Sequence, residues 1–422
     1  MKILLVGNGG REHAIAWKLA QSGRISKMYS TRGNAGIAKF AEVVDIAPTD
    51  VDGVAAFARD NAIDLVVVAP DDPLVLGMVD AVNAVGVRAF GPNKLAAELE
   101  GSKVFAKNLM KKYNIPTAAY EVFDDADAAI EYLRASSYPT VIKAEGLALG
   151  KGVIIATDFE MAKTAVIDIM QDKCFGDAGK RVVIEEFLEG REITVLAFTD
   201  GETICPMPSS QDHKRALDGD EGLNTGGMGA FSPSPIFTDE VADWCMANVF
   251  RPTVEAMNTE GRRFKGVLYF GLIMTQSGIK VIEFNARFGD PETQVILPQL
   301  KTDLLDIFDA VIDEKLGEIK IEWELGAVCG VVMASGGYPQ KYEVGKVISG
   351  IDAAEKRGVQ VFIAGAKHDE SGELVTSGGR VLCAVALGDD LADAREKAYS
   401  GVGEIEFEGA HYRRDIAVVK RD

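Results

Sequence analysis

The sequence predicts a multidomain protein, with an α/β unit at its N-terminus and α+β units after it. The chain has 422 residues, enough for roughly two to four domains at about 150 residues each. Over the first ninety or so residues, short apolar runs alternate with amphipathic stretches, which predicts a parallel, doubly wound sheet. From about Gly101, apolar runs follow one another directly. This change indicates antiparallel sheets and therefore a different domain.

In the first ninety or so residues, the short apolar runs predict strands, and the amphipathic stretches predict the helices between them. The helices are predicted from stretches whose apolar residues recur at helical spacing. Because ligands of doubly wound folds bind at the carboxyl ends of the strands, we expect a binding site there. The predicted strands are Ile3–Val6, Lys27–Ser30, Val43–Ile46, Leu65–Ala69 and Val87–Phe90, and the helices are Glu12–Gln21, Val51–Asn61 and Leu74–Ala84.

The rest of the chain divides into two further units. A helix at Lys103–Tyr113 stops before Pro116, and the turn Gln276–Gly278 joins two strands as a hairpin. A helical segment, Glu292–Ile312, closes the second unit, and a mixed third unit starts at about Gly326. The predicted strands are Val141–Ala144, Val153–Ala156, Val182–Glu186, Ile193–Phe198, Gly266–Thr275, Ile279–Phe284, Ala327–Ala334, Val359–Ala364 and Arg380–Ala386.

Composition and charge exclude several classes of protein. Hydrophobic residues make up 47% and charged residues 26%, close to globular averages, so disorder is not indicated. A formal net charge of −19 argues against nucleic acid or an anionic membrane surface as a main partner. Five scattered cysteines and four scattered histidines predict reduced thiols and no zinc site. Without a signal peptide or a membrane-spanning stretch in the sequence, we expect a cytoplasmic protein.

The most informative stretch is the strand Val281–Arg287 with the bend after it. Residues two apart share a face of a strand, so Glu283, Asn285 and Arg287 are expected on one face. A carboxylate and an amide oxygen suit Mg²⁺, and a guanidinium can hold an acyl phosphate or a carboxylate. The alternative is a half-exposed strand with solvated polar residues, although the bend Gly289–Asp290 is typical of functional loops. The opposite, packed face is predicted to hold Ile282, Phe284 and Ala286.

Two loops that follow strands are candidates for nucleotide binding. The loop Lys143–Gly152 carries three glycines around Lys151, and their amides can close on phosphates. It is not a Walker A sequence, because Gly152 rather than Ser or Thr follows the lysine, and an ordinary glycine-rich hairpin is the alternative. The acidic stretch Glu185–Glu192 can hold a purine by backbone hydrogen bonds, with a solvated strand end as its alternative.

Two more polar segments could bind substrate. A long loop, Ser209–Gly229, is dense in polar and glycine residues, which is typical of functional loops. His213 in it is a candidate acid or base, although a solvated or structural histidine is the more frequent case. The segment Gly7–His13 resembles a dinucleotide fingerprint, but Glu12 occupies the position of the third glycine. Its helix N-terminus and Arg11 favour a monophosphate over NAD.

Several segments along essentially the whole chain resemble one family. They include GNGGREHA, GPNKLAAELEGSK, SSQDHKRA, NTGGMGAFSP, VIEFNARFGDPETQ and ASGGYP. The chain resembles the glycinamide ribonucleotide synthetases, or phosphoribosylamine–glycine ligases, of the ATP-grasp superfamily. In that family the glycine-rich loop reads KADGLAAGKGV, whereas here Glu145 replaces the aspartate and Leu149 an alanine. Leu223 stands where proline is common.

The resemblance implies a three-part architecture and a reaction. The parts are an N-terminal parallel-sheet domain at 1–100 that binds the substrate phosphate, an ATP-grasp domain at 101–325, and a small mixed α/β domain at 326–422. A mobile subdomain at 120–190 would cover the nucleotide. The implied enzyme joins glycine to 5-phospho-β-D-ribosylamine through glycyl phosphate, with ATP hydrolysis to ADP and phosphate, in de novo purine biosynthesis. Its implied cofactor is Mg²⁺ or Mn²⁺, with ATP as co-substrate.

The resemblance also implies roles for individual residues. Glu283 and Asn285 would ligate the metal, and the catalytic residues would be Arg287, Asp212 and Lys214. The substrates would be bound by Asn8, Gly9, Gly10, Arg11, Asp212, Arg287, Gly289 and Asp290. ATP would be bound by Lys103, Lys143, Gly150, Lys151, Gly152, Glu185, Phe187, Leu188, Glu192 and Phe284.

The expected partners are the small-molecule substrates ATP, glycine and phosphoribosylamine, without nucleic acid or membrane. A monomer, and a transient contact with the preceding enzyme of the pathway, are conceivable. Three alternatives stay open: a related ligase or carboxylase with another acceptor, a nicotinamide-dependent oxidoreductase, and a nucleotide-binding regulatory protein without catalysis. The missing third glycine argues against the second, and the intact face of Glu283, Asn285 and Arg287 argues against the third.

Overall fold

The computed structural model describes residues 1–148 and 152–419. Its N-terminal strands are β1 (Lys2–Val6), β2 (Lys27–Thr31), β3 (Glu42–Val44), β4 (Leu65–Val68) and β5 (Arg88–Phe90), and its helices are α1 (Gly10–Leu19), α2 (Val51–Asp60), α3 (Asp71–Leu76), α4 (Met78–Ala84) and α5 (Lys94–Gly101). The strands form a parallel sheet in the order β3-β2-β1-β4-β5. Its central strand β1 is a continuous apolar run because helices cover both faces of the sheet.

The predicted helix Leu74–Ala84 is wrong in its continuity. The structure ends α3 at Leu76 and begins α4 at Met78, with Gly77 between them at φ 94°. Glycine adopts this left-handed conformation without the steric cost that a side chain would add. The apolar spacing continues across the break, so periodicity alone did not reveal the turn.

The second part of the chain begins with a small antiparallel sheet. Its strands are β6 (Tyr120–Phe123), β7 (Thr140–Ala144), β8 (Val153–Ala156) and β9 (Val182–Glu186), and its helices are α6 (Lys103–Lys112), α7 (Ala126–Arg134) and α8 (Phe159–Val166). The strand order is β6-β9-β7-β8. The helices α7 and α8 pack on one face and share a core with it that includes Leu133, Ile142 and Val166. Lys103 and Lys107 lie on α6, Lys143 lies on β7 and Glu185 lies on β9.

A larger set of strands and helices follows. It comprises β10 (Arg191–Thr199), β11 (Ile204–Pro206), β12 (Gln211–Asp212), β13 (Arg215–Leu217), β14 (Glu221–Asn224), β15 (Gly229–Ser232), α9 (Asp239–Cys245), α10 (Arg251–Thr259), β16 (Gly266–Thr275), β17 (Gly278–Asn285), α11 (Glu292–Ile296) and α12 (Leu304–Ile312). An antiparallel sheet has the order β11-β10-β16-β17, and its core includes residues of α9 and α10. The predicted continuous segment Glu292–Ile312 is wrong, because a 3₁₀ turn with Pro298 separates α11 from α12.

The C-terminal part completes its sheet with strands from the middle of the chain. Its own elements are β18 (Ala327–Ala334), α13 (Ile351–Lys356), β19 (Gln360–Ile363), β20 (Ala366–His368), β21 (Leu374–Thr376), β22 (Arg380–Gly388) and α14 (Leu391–Val402). The sheet order is β12-β15-β18-β22-β19, so β12 and β15 extend the C-terminal sheet. The polar loop around residues 211–229 is thereby attached to the C-terminal part.

Short 3₁₀ and π turns complete the secondary structure. Within the described ranges, no helix is long and apolar enough to cross a membrane. The short turns are Ile37–Lys39, Ile167–Gln171, Gly176–Gly179, Asp218–Asp220, Met246–Phe250, Leu297–Gln299 and Leu316–Glu318.

Candidate active site

A cavity of about 1170 Å³ lies where the sheets meet, and most of the predicted site residues line it. Four predicted substrate residues, Asn8, Gly9, Gly10 and Gly289, are not part of this lining. The predicted nucleotide residues Gly150 and Lys151 lie outside the described residues. The predicted residues that line the cavity are Arg11, Lys103, Lys143, Gly152, Glu185, Phe187, Leu188, Glu192, Asp212, Lys214, Glu283, Phe284, Asn285, Arg287 and Asp290.

The strand β17 departs from simple alternation just before its polar residues. Its pairing with β16 shifts so that Gly271 faces Glu283 while Leu272 faces Val281, which leaves Ile282 as a bulge. The prediction that Ile282 lies on the packed face is therefore wrong. It is half-buried and lines the cavity, and its carbonyl accepts a hydrogen bond from Lys143 Nζ at 3.3 Å. The bulge re-aims the strand so that Glu283 faces the cavity.

Glu283 is a half-buried carboxylate surrounded by cations. Burial raises its pKa, but the charges of Lys214, Lys143 and Lys103 outweigh this and leave the pKa below its ordinary value. The group is therefore ionised near neutral pH. Next to it on the same face, the Oδ1 of Asn285 accepts a hydrogen bond from Arg287 Nη2 at 3.3 Å. An ionised carboxylate beside an amide oxygen is a donor pair that suits Mg²⁺.

The wider surroundings agree with that donor pair. Among the described residues, no three His, Cys, Asp or Glu side chains are grouped as a metal cage. Mg²⁺ usually binds through one or two protein oxygens and completes its shell with water and phosphates. A pair of oxygens facing a large cavity therefore fits this ion better than it fits Zn²⁺.

Arg287 is held by Glu100, a residue that sequence reasoning missed. Its Nη2 lies 2.8 Å from Glu100 Oε1, and Glu100 Oε2 accepts from the amide of Ala286 at 2.7 Å. Burial raises the pKa of Glu100 to about 7 despite the nearby guanidinium. The Nε of Arg287 is buried and has no hydrogen-bond partner within the described part of the chain. In the sequence, Glu100 is the second glutamate of GPNKLAAELEGSK, one of the segments that carry the family resemblance.

Three lysines form a cationic wall, the lysine wall, on the side of the cavity that is predicted to bind the nucleotide. Lys143 Nζ lies 3.0 Å from Glu185 Oε1, and Lys107 Nζ lies 2.8 Å from Glu185 Oε2. Burial lowers the pKa of Lys107 to about 8. Lys103 Nζ donates to the carbonyl of Gly146 at 3.0 Å, at the base of the glycine-rich loop. Glu185 thus balances two buried ammonium groups, and Lys107 was not identified from the sequence.

Glu145, which replaces the aspartate of the family pattern, also fixes the base of the glycine-rich loop. Glu145 forms an ion pair with Arg181 and accepts from Ser102 Oγ at 3.1 Å. These contacts lower the pKa of the Glu145 carboxyl, with the hydrogen bond from Arg181 as the largest cause. Its longer side chain is therefore accommodated in a charged contact.

The opposite side of the cavity carries acidic groups and one lysine. Lys214 Nζ lies 2.6 Å from Glu192 Oε2. Burial, opposed by Lys214 and assisted by Glu292, raises the pKa of Asp212 to about 7. Tyr269 donates its hydroxyl hydrogen to Glu292 Oε1 at 2.9 Å. Tyr269 and Glu292 were missed, although Glu292 lies in the most specific sequence motif.

His213 lies next to these groups but is held neutral. Burial, with the charge of Arg413, lowers its pKa to about 4. Its ring packs 5.9 Å from that of Phe231, and Nδ1 is buried with no hydrogen-bond partner among the described residues. At neutral pH the imidazole therefore carries no charge to share with an anion.

The N-terminal loop satisfies part of its own hydrogen-bonding capacity. The amide of Gly9 donates to Glu12 Oε2 at 2.7 Å, and Arg11 Nε lies 2.6 Å from Glu12 Oε1. Glu12, at the third-glycine position, thus caps the helix α1. Arg11 also donates to the carbonyl of Phe288 at 3.1 Å, and it lines the cavity.

Asp290 connects the bend after β17 to the C-terminal sheet. Arg380 Nη2 lies 3.3 Å from Asp290 Oδ2, and Gln294 donates to Asp290 Oδ1 at 2.8 Å. Burial raises the pKa of Asp290, but Arg380 and Arg11 outweigh it and lower the pKa. The ionised carboxylate therefore joins three parts of the chain at the edge of the cavity.

Comparison with known proteins places this geometry in a family. Models of phosphoribosylglycinamide synthetase match the chain at residues 1–100 (N domain), 101–293 (ATP-grasp, or A, domain) and 328–419 (C domain). The phosphoribosylamine–glycine ligase of Neisseria meningitidis serogroup A is 50% identical over 418 residues, which cover 99% of each chain. That of Yersinia pestis is 50% identical over 419 residues, covering 99% of this chain and 98% of the relative.

Solved structures agree with the sequence relatives. The crystal structure of phosphoribosylamine–glycine ligase from Thermotoga maritima superposes with a TM-score of 0.81 at 34% identity, covering 98% of this chain and 100% of that chain. The biotin carboxylase domain of Hydrogenobacter thermophilus 2-oxoglutarate carboxylase shares the fold, with a TM-score of 0.76 at 14% identity over 97% of this chain and 91% of that chain. The chain belongs to the phosphoribosylglycinamide synthetase family.

Proposed function

We propose that this enzyme joins glycine to 5-phospho-β-D-ribosylamine at the expense of ATP, giving glycinamide ribonucleotide, ADP and phosphate in de novo purine biosynthesis. The observation that carries the proposal is one cavity that combines a lysine wall, the ionised Glu283 and the anchored Arg287. Phosphoryl transfer to a carboxylate needs these groups together, because both reactants are anions.

In the first step, a carboxylate oxygen of glycine attacks the γ-phosphorus of ATP. The bond from that phosphorus to the β,γ-bridging oxygen breaks, so ADP leaves and glycyl phosphate forms. Lys103 and Lys143 face the phosphates from the nucleotide side and offset their charge. Glu283 and Asn285 would hold Mg²⁺, which, when bound, supplies further charge compensation on the phosphate oxygens.

The substrate glycine is bound by two groups of opposite charge. Arg287 offers a guanidinium whose Nε is not engaged by any described residue, and it takes the carboxylate. Asp212 takes the ammonium group across the cavity, where Lys214 and Glu192 set the local charge. Held from both ends, the carboxylate is oriented toward the transferring phosphoryl group.

In the second step, the amine nitrogen of phosphoribosylamine attacks the acyl carbon of glycyl phosphate. The bond from that carbon to the phosphate oxygen breaks, phosphate leaves and the nitrogen releases one proton. Arg11, which lines the cavity at the end of β1, is assigned to the ribosylamine phosphate together with Asn8–Gly10. Water has to be kept from the acyl phosphate, because hydrolysis would waste it.

The adenosine is assigned to the edge of the lysine wall. Phe187, Leu188 and Phe284 line that part of the cavity with apolar surface, and the exposed Glu192 faces the ribose. The domain limits 1–100, 101–325 and 326–422, with a mobile subdomain at 120–190, belong to the same proposal. We place the enzyme in the cytoplasm, which agrees with its five free cysteines.

An ADP-release assay with glycine and freshly made phosphoribosylamine tests the proposal, with each substrate omitted in turn. We expect sustained ADP release, over many turnovers, only when both are present with ATP and Mg²⁺. Formation of ADP that is indifferent to glycine would refute the substrate assignment. Product analysis by mass spectrometry should then find glycinamide ribonucleotide in a one-to-one ratio with ADP.

A further inference from the structure

The hairpin that follows Asp212 and Lys214 has almost no core of its own. It consists of β13 and β14, and its residues from Leu217 to Asn224 are all exposed. Its two leucines, which would be the natural core, are 47% and 51% exposed. Burial of apolar surface therefore contributes little to its position, and polar contacts must supply the remainder.

Those polar contacts come from the end of the chain. The side chain of Arg413 is only 1% exposed, and its Nε and Nη2 both pair with Asp415 at 2.7 Å. The same Nη2 lies 2.9 Å from Asp220 Oδ1 at the tip of the hairpin. Its Nη1 donates to the carbonyl of Arg215 at 3.1 Å. One buried guanidinium thus holds both the tip and the base of the hairpin.

Neighbouring residues repeat the pattern along the hairpin. The amide of Arg414 donates to Asp218 Oδ1 at 2.7 Å, and the amide of Gly219 donates to Asp415 Oδ2 at 2.8 Å. The ring Nε2 of His411 lies 2.7 Å from the carbonyl oxygen of Ala216. We call His411, Arg413, Arg414 and Asp415 the C-terminal clamp. It joins residues that are 196 positions apart in the chain.

The far side of the same loop is held by the C-terminal sheet as well. Tyr338 Oη accepts from the amide of Gly226 at 3.1 Å, and Arg380 Nη1 donates to the carbonyl of Gly226 at 2.7 Å. Strand β15 then pairs with β18. The polar loop is thus fixed at both ends by residues that lie more than a hundred positions later in the sequence.

The clamp contacts Arg215, the residue that directly follows Lys214. The carbonyl of Arg215, which Arg413 holds, follows Lys214 directly, and the carbonyl of Lys214 accepts from the amide of Thr225 at 2.7 Å. On the cavity wall, Lys214 Nζ lies 2.6 Å from Glu192 Oε2. A shift of the hairpin therefore moves Lys214, whereas Asp212, two residues before it, is held by the pairing of β12 with β15.

We propose that the C-terminal clamp positions Lys214 through the β13–β14 hairpin, and that Arg413 and Asp220 are positioning residues for the glycine side of the site. The inference rests on the proposed function in that Lys214 carries the positive charge that acts on Asp212, the proposed partner of the glycine ammonium group. None of the clamp residues touches the substrate, so their loss changes the placement of the site and leaves its chemistry intact. Lys103 and Lys143, which face the ATP phosphates in the proposed function, are held by separate contacts on the opposite wall.

The test replaces Asp220 with asparagine, because this side chain is 58% exposed and its substitution leaves the buried part of the clamp in place. Asp218→Asn with Asp220→Asn forms a stronger variant. Glu221→Gln is the matched control, since it makes the same change of charge at an exposed position of the same hairpin. Asp220→Glu restores the carboxylate and should recover most of the lost activity.

We expect the double variant to raise the KM for glycine on the order of tenfold, since small misplacements of orienting groups are costly. The dissociation constant for ATP, measured by calorimetry, should change less than the KM for glycine in every variant, because the lysines that face the phosphates are not altered. Hydrogen exchange of the amides of Leu217–Asn224 should be faster in the double variant than in Glu221→Gln. A KM for glycine equal to that of the control, or an equal loss of ATP affinity, would overturn the inference.

The two proposals can fail separately. If the unmodified enzyme releases ADP without regard to glycine, the proposed function fails, and the exchange rates of the hairpin still decide whether the clamp holds it. If the unmodified enzyme needs glycine and the double variant matches Glu221→Gln in all parameters, the function stands and the clamp has no positioning role.

Discussion

The two sides of the cavity are held in place by different means. On the nucleotide side, Glu185 sits between Lys107 and Lys143, and all three side chains are at most 5% exposed. On the glycine side, Asp212 and Lys214 precede an exposed hairpin that is held from the C-terminal part. Changes on the nucleotide side should therefore cost both chemistry and stability, whereas changes on the glycine side should mainly alter substrate affinity.

The difference follows from the chemistry of each side. A triphosphate needs a dense, fixed positive charge, and buried ammonium groups persist only beside a buried carboxylate. Glycine offers one carboxylate and one ammonium group, and in the proposed reaction the amine of the second substrate attacks only after this carboxylate is phosphorylated. A site that precedes an exposed hairpin can be placed by the separate part of the chain that holds this hairpin through the buried Arg413. In the proposed reaction, this arrangement divides the binding of ATP and the binding of glycine between two packing units.

The largest effect is expected at Glu283, where the two sides meet. Glu283→Ala removes the ionised carboxylate proposed to hold the metal, and we expect kcat to fall by about 10³-fold or more. Asn285→Ala should act in the same direction. ADP release measures the loss, and an unchanged thermal midpoint shows that the fold survives. Full activity in either variant would remove the metal assignment, and the exposed Glu121→Ala serves as a control.

The next largest effect is expected at Glu185, whose buried ion pairs are compared with the exposed ion pair of its neighbour Glu186. Glu185→Ala leaves two buried ammonium groups without their carboxylate, and we expect unfolding free energy to fall by about 3–5 kcal/mol. Its neighbour Glu186 pairs with Lys280 at 2.7 Å but is exposed, so Glu186→Ala should cost at most about 1 kcal/mol. Urea unfolding monitored by circular dichroism measures both. Equal losses would show that burial of the ion pair is not what distinguishes this side.

Much of this architecture could be predicted from the sequence. The fold class and the family were predicted and are confirmed, because motifs such as VIEFNARFGDPETQ extend along the chain. The strands of the N-terminal sheet were found because short, continuous apolar runs between helical stretches are typical of buried parallel strands. The division of the chain into domains and the role of each site residue stay predictions.

The rest depended on contacts that leave no local pattern. Lys107 and Glu100 lie on helices and meet their partners across the chain, at Glu185 and Arg287. The bulge at Ile282 is a matter of strand pairing, which alternation within one strand does not encode. The C-terminal clamp joins two polar segments, each of which looks like an ordinary solvated loop by itself.

A pH-dependent effect is expected at Glu100, which anchors Arg287. Burial raises its pKa from 4.5 to about 7, so the folded protein binds a proton more tightly than the unfolded chain. The stabilisation from this group is complete below pH 4.5 and is lost as pH rises toward 7, with a span of about 3 kcal/mol. In Glu100→Gln, unfolding free energy should lose this part of its pH dependence. Unfolding series at pH 5 and pH 8 measure it, and an unchanged slope in the variant would contradict the assignment.

The smallest effect is expected at Arg11, which lies in α1 of the N-terminal part and lines the cavity. Arg11→Ala removes a cation that lines the cavity, and we expect the KM for phosphoribosylamine to rise about tenfold, the value of one charge-assisted hydrogen bond. The KM values for ATP and glycine should not change. Arg32→Ala is the matched control, because Arg32 lies in the same sheet domain and pairs with Asp45 at the surface. An unchanged KM would leave Arg11 as a partner of Glu12 and Phe288, and the ribosylamine phosphate would then have to bind elsewhere on the cavity wall.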